Sequence, residues 1–338
     1  VSTLEFAIDV VVRGSVLGAD HTGSPEDVTR ILGATPAENR GRNQMWRDHG
    51  LVDFFWERGP GRPEWRGTHF TVQLHRLSSA GAGIAAGPIR ESYGSLQASL
   101  RFADLQAALA DLGVDLVELP SRNEGYREYW QPDSTVHILA ADGEVDRIVA
   151  PLRAEAVARM FTDAPVGRQR VRHLLQASDQ QRLAWIDRHR PNARDAANWW
   201  LCLFLDIEHM VHRNADQRVP AARLYLWAVR RSHEDGVFEA GETAIRVATF
   251  GFPGSAADLT DVLPTADQIV RDCLDALPIT LDQAQVPCPP HARDLPAMRA
   301  SRQAKNLINA AARHLPDLHD PALAEQLRAW IEARPGLV

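Results

Sequence analysis

Asp48-His49-Gly50-Leu51-Val52-Asp53-Phe54-Phe55-Trp56-Glu57-Arg58 and, further on, Thr68-His69-Phe70-Thr71-Val72-Gln73-Leu74-His75-Arg76-Leu77 decide how this chain is read. In both stretches apolar residues recur at every second position, Val52, Phe54 and Trp56 in one and Phe70, Val72 and Leu74 in the other. A period of two marks strands with one buried face, so paired strands are expected at about 50–58 and 68–77, split by the Gly59-Pro60-Gly61-Arg62-Pro63 loop. The opposite face gathers Asp53, Phe55 and Glu57 with Thr71, Gln73 and His75. That mixture suits a catalytic pair, a binding patch or the solvated side of a sheet. Carboxylates two positions apart on a strand lie roughly 7 Å apart, which allows acid–base chemistry without requiring it.

Outward from this pair, Phe6, Ile8, Val10 and Val12 alternate with Ala7, Asp9, Val11 and Arg13, which reads as a first strand. Ser24 as N-cap, Pro25 at the first helical position and Gly33 as the stop define a helix between them. Residues 78–95, rich in Gly, Ala and Ser, read as a flexible connection or flap. A helix over about 101–112 carries Phe102, Leu105, Leu109 and Leu112 on one stripe. Strands follow at about 114–119, 125–130, 135–141 and 145–150, the last two joined by an Asp142-Gly143 turn. The expected class is α+β: an N-terminal antiparallel sheet with two helices over residues 1–150, then an all-α helical bundle over 151–338. In the second part Ala196 to Ile207 is apolar nearly all round, as a central buried helix should be.

At 338 residues and 45% hydrophobic content, the chain is long enough for two cores. Its net charge of -7 lies wholly in residues 1–150, which hold 21 Asp and Glu against 14 Arg, while the remainder holds 23 of each sign. An acidic domain disfavours nucleic acid and would steer in a basic protein partner, and solubility alone is the other reading of the same balance. Lys305 is the only lysine against 36 arginines, a bias that fits a G+C-rich actinobacterial genome, as does Val1 as the product of a GTG start codon. Cys202, Cys273 and Cys288 have no C-x-x-C spacing, so neither a disulfide framework nor a thiolate zinc site is expected. The apolar run at 4–18 is broken by Glu5, Asp9 and Arg13, which argues against a signal peptide or membrane span and makes a cytoplasmic setting the expectation.

A second constellation ends the central helix: Asp206, Glu208, His209 and His212, with Glu208 and His212 spaced i,i+4 on one face. It can be a hydrolase or metal site, or a structural cluster with Arg213 or Arg230 at a helix end. Arg299, Arg302 and Lys305 line a basic stripe that suits a phosphate, an acidic partner or solvent. The sequence contains no phosphate-binding glycine loop, nucleophile elbow or dinucleotide fingerprint, and no cofactor is expected.

Ser24-Pro25-Glu26-Asp27-Val28, Ile31-Leu32-Gly33 with Pro36, and Trp46-Arg47-Asp48-His49-Gly50-Leu51-Val52-Asp53-Phe54 together resemble a pattern in small actinobacterial proteins of the immunity type. In that pattern a capped helix ends in Leu-Gly and is followed by an Asp-Tyr-Gly-Leu-hydrophobic-Glu-Phe strand; here His49 stands for the Tyr and Asp53 for the Glu. The resemblance covers about residues 5–77. It implies a stoichiometric inhibitor that binds a toxin domain, and the expected contact residues are Asp53, Phe55, Glu57, Gln73 and His75. A hydrolase at Glu208, His209 and His212, or a scaffold that binds partners through its helical domain, are the alternatives.

Overall fold

The computed structural model describes residues 2–33, 36–59, 64–121, 124–161, 168–189, 196–213, 215–250, 259, 261–286, 294–333 and 337, without the side chains of 82, 168–170, 212, 213 and 215. The predicted loop at 59–63 lies outside these residues except for Gly59, and so does Cys288. The fold is mixed α/β, with an eight-stranded antiparallel sheet in the N-terminal half and helices thereafter. The chain forms two compact units, the first spanning Val1–Ala154 and taking in Pro289–Met298, the second comprising Glu155–Cys288 and Arg299–Leu337.

The first unit opens on helices, not on a strand. Helix α1 covers Thr3–Arg13: the Ser2 side chain caps its start by accepting from the Glu5 amide, and Gly14 closes it in the left-handed conformation. The strand predicted at 6–12 is therefore corrected. Phe6, Ala7, Ile8, Val10, Val11 and Val12 are all buried, so both parities of the run are apolar and the alternation carried no information. Helix α2, Pro25–Leu32, starts on the Ser24 cap and ends on Gly33 as predicted.

Strands β1 (Ala37–Arg40), β2 (Gln44–Asp48), β3 (Val52–Glu57) and β4 (Arg66–Val72) follow as one meander. Strand β4 ends at Val72, short of the predicted Leu77. The chain then builds helix α3 (Arg76–Ala80), a 3-10 turn (Ala82–Ile84) and helix α4 (Gly87–Tyr93), so the predicted flexible connection at 78–95 is ordered secondary structure. Helix α5, Phe102–Asp111, buries Phe102, Leu105 and Leu109. The helices of the first unit accordingly exceed the two predicted. Strands β5 (Val117–Leu119), β6 (Tyr126–Gln131), β7 (Val136–Ala141) and β8 (Glu144–Ala150) form a second meander, with Asp142 and Gly143 turning β7 into β8 at positive φ.

The sheet order is β1-β2-β3-β4-β8-β7-β6-β5. Each meander runs outward from its last strand, and β4 pairs antiparallel with β8 at the centre, Phe70 opposite Ala150 and Val72 opposite Ile148. The two meanders are thus related in topology by a half-turn about the middle of the sheet. Phe54, Trp56, Phe70 and Val72 are buried on the core face, as their alternation required, and Trp56 donates from Nε1 to the Gly23 carbonyl, 3.0 Å.

After the sheet the described chain is helical: α6 (Ala154–Phe161), α7 (Arg168–Gln176), α8 (Asp179–His189), α9 (Ala196–Arg213), α10 (Arg218–Glu234), α11 (Ala240–Thr249), α12 (Ala266–Asp275), α13 (Leu281–Gln285), α14 (Leu295–Ala312) and α15 (Pro321–Ala333). Helix α9 buries Trp200, Cys202, Leu203, Phe204 and Ile207, as its all-round apolar sequence required. Residues from α11, α12, α14 and α15 form a further core, including Ala248, Val270, Cys273, Leu307 and Leu327. Neither Cys202 nor Cys273 forms a disulfide among the described residues, and burial pushes the Cys273 thiol up to about 12. No helix among the described residues is long and apolar enough to cross a membrane.

Candidate functional site

The connection between β2 and β3 is three residues long, His49-Gly50-Leu51, and places Asp48 directly opposite Asp53. Two carboxylates in facing positions repel each other unless a cation joins them. Arg76, the first residue of α3, supplies it. Its Nη1 donates to Asp48 (3.3 Å to each oxygen), to Asp53 Oδ1 (3.2 Å) and to the Gly50 carbonyl (2.6 Å), while Nη2 donates to Asp53 Oδ2 (3.0 Å). Gln73 Nε2 adds a bond to Asp53 Oδ2 (2.9 Å), and the Gly50 amide donates to Asp48 Oδ1 (2.6 Å). One guanidinium therefore clamps both strands and the turn between them. Gly50 is held at φ +86°, and a Cβ there would run into the Ile84 carbonyl oxygen, so only glycine fits the clamp.

This arrangement corrects the role expected of Asp53. It is 3% exposed, and its oxygens are engaged by Arg76 and Gln73, so it is not an exposed carboxylate offered to a partner. Burial pushes its carboxyl above the usual carboxylate range against the pull of Gln73 and Arg76. Gln73 is drawn into the same clamp. His75 has left the strand and sits at the start of α3, 45% exposed, its Nδ1 3.7 Å from Asp146 Oδ1 on β8. Phe55 is half-buried: its ring stacks on His69 (4.2 Å, 6° between planes) and more loosely on Trp46 (6.4 Å). These three are cross-strand partners, Trp46 on β2, Phe55 on β3 and His69 on β4. Glu57 is exposed beyond a register shift between Phe55 and Trp56, opposite Gln44 and Arg66. Asp53 and Gln73 are thus brought together, Phe55 and Glu57 lie along the same strand, and His75 stands apart.

The residue that sequence reasoning missed is Arg76. It is the only arginine or lysine between Gly67 and Ile89, in a stretch facing two strand carboxylates, which was the available signal. His49 enters the sequence pattern only as the residue in place of Tyr. Its side chain is buried at 3% exposure, edge-on to Phe54 (6.3 Å), and neither ring nitrogen has a hydrogen-bond partner among the described residues. Burial first and Arg47 second lower its pKa to about 4, against Asp48.

The other constellations are structural in their geometry. Glu208 accepts from the Tyr225 hydroxyl, 3.2 Å, and Asp206 is paired with Arg159. His209 is half-buried, and the His212 side chain lies outside the described residues. Among the described residues no group of three or more His, Cys, Asp or Glu is placed to hold a metal. Near these residues Arg246 pairs with Glu155, 2.7 Å, between the rings of Phe204 and Phe238, both 4.9 Å away. The Arg299–Arg302–Lys305 stripe is also corrected, since Lys305 is 9% exposed. In the second meander His137 Nε2 meets Glu128 Oε2 at 2.9 Å, and Ser121 bonds the same carboxylate. A hydrolase triad needs its hydroxyl on the imidazole, and here it sits on the acid.

Comparison with protein families, with curated proteins and with solved structures finds no match to this chain.

Proposed function

We propose that the chain is a non-catalytic binding protein of the immunity type, which neutralises a basic toxin domain by direct contact through the outward side of β2, β3 and β4. The observation that carries this reading is the clamp. Arg76 holds the β2–β3 hairpin from one end, so the Trp46–Phe55–His69 row and Glu57 stand on a fixed strand pair. Preorganised aromatics beside an exposed carboxylate suit an interface, because little side-chain entropy is lost on contact. The acidic balance of residues 1–150 adds attraction for a cationic partner. Asp53 and Gln73 serve the scaffold in this reading, and the contact residues become Phe55 and Glu57, with His75 at the margin.

The test is genetic and direct. The open reading frame beside this gene, expressed alone in a test host, is expected to arrest growth, and co-expression of this protein to restore it. A Phe55→Arg/Glu57→Arg variant that retains its circular dichroism spectrum should no longer rescue. A neighbouring product that is harmless and does not bind this protein would end the immunity reading.

A further inference from the structure

We propose that the β2–β3 hairpin is an acid-sensitive latch, opened when the buried imidazole of His49 takes up a proton. The ring is buried edge-on against Phe54, which itself stacks on Phe70 (5.3 Å) and Trp56 (5.9 Å) in the core of the first unit. A neutral imidazole needs one donor and one acceptor satisfied; the protonated ring carries two donors and a full charge. Neither nitrogen meets an acceptor among the described residues.

The charged groups around it are already committed. On β2, Arg47 is held by Glu38 (2.8 Å) and by the Pro25 carbonyl (2.7 Å), and Asp48 is shared between Arg76 and the Gly50 amide. On β3, Asp53 is engaged by Gln73 and Arg76, and on α3, Arg76 is the clamp itself. The 3-10 turn that backs the hairpin presents the Ile84 carbonyl to Gly50. A proton on His49 therefore either remains an uncompensated buried charge, which destabilises the closed hairpin, or draws Asp48 away from Arg76 and Gly50. Both routes loosen the segment from Asp48 to Asp53. Protonation of Asp53, which its burial favours, acts in the same direction by removing the bidentate partner of Arg76. A second imidazole, the half-buried His69, lies on the sheet face that carries Asp53 and Phe55, stacked on Phe55 and bonded to Thr68, and is not part of the clamp.

The experiment is an NMR titration of the full chain with the histidine rings labelled, alongside hydrogen exchange of the peptide covering residues 46–57. His49 is expected to titrate below about pH 5, and exchange protection of the peptide, corrected for intrinsic rate, to fall at least roughly tenfold between pH 7 and 4.5. His49→Phe should keep its protection over that range, and Asp53→Asn should show partial loss already at pH 7. A His49 that titrates near 6.5, or a His49→Phe protein that loses protection in step with the native chain, overturns the latch. If His49→Phe does not fold, His49→Tyr takes its place in the exchange arm, and the native titration stands by itself.

Discussion

Arg76 shows how one side chain turns two mutually repelling carboxylates into a fixed turn. Asp48 and Asp53 face each other across β2 and β3, and among the described residues Gln73 and the Gly50 amide are what remain to hold them without the guanidinium. Arg76→Ala is expected to cost about 3–5 kcal/mol in urea unfolding, the range for breaking a buried pair from one side. Arg76→Lys should recover only part of it, because an ammonium cannot fork across Asp53 while bonding Gly50. His49 sets the acid side of the stability curve. Its pKa is depressed in the folded state from 6.5 to about 4, so the stability tied to the neutral ring is complete above 6.5 and is lost as pH falls towards 4. The loss amounts to about 3 kcal/mol, and His49→Phe should abolish that share in urea midpoints measured across this window. At this scale the sequence was partly legible. The core residues Phe54, Trp56, Phe70 and Val72 announce themselves by alternation, whereas the burial of Asp53 does not, because its counter-charge arrives from a helix that begins after the strand has ended.

At the level of elements, local signals succeeded where a cap or turn residue has one use. Ser24, Pro25 and Gly33 bound α2, and Asp142-Gly143 turns β7 into β8, all readable because each residue satisfies a local backbone demand. They failed where tertiary burial decides. Helix α1 is apolar except for one stripe, Glu5, Asp9 and Arg13, and Val10-Val11-Val12 has strand propensity that the surrounding core overrides. Strand β1, Ala-Glu-Asn-Arg, has all four residues exposed and hence no apolar period to detect. Gly50 tests whether the β2–β3 turn is as demanding as its surroundings imply. Gly50→Ala combines the cost of a positive φ with a clash against the Ile84 carbonyl, and the turn cannot yield without releasing Arg76. A loss of about 2–4 kcal/mol is expected, together with faster exchange at the Val52 and Asp53 amides. A loss below roughly 1 kcal/mol would mean that the turn relaxes freely and that the clamp is weaker than its geometry implies.

Across the whole chain, charge is segregated. Residues 1–150 carry the entire negative excess and the remainder is balanced, so any long-range attraction for a cationic partner originates in the sheet unit. The aromatic row and the acidic balance then contribute to different quantities. Contact of Phe55 with a partner sets the lifetime of a complex, while net charge sets the rate of encounter and is screened beyond about 8–10 Å at physiological salt. For the proposed basic toxin domain, the association rate measured by stopped flow should fall by at least roughly tenfold as ionic strength rises from about 50 to about 500 mM, with dissociation nearly unchanged. Glu57→Gln should lower the association rate slightly and flatten its salt dependence by about one charge's share, whereas Phe55→Ala should act on dissociation alone. An association rate indifferent to salt would assign the acidic balance to solubility and leave recognition to the aromatic row.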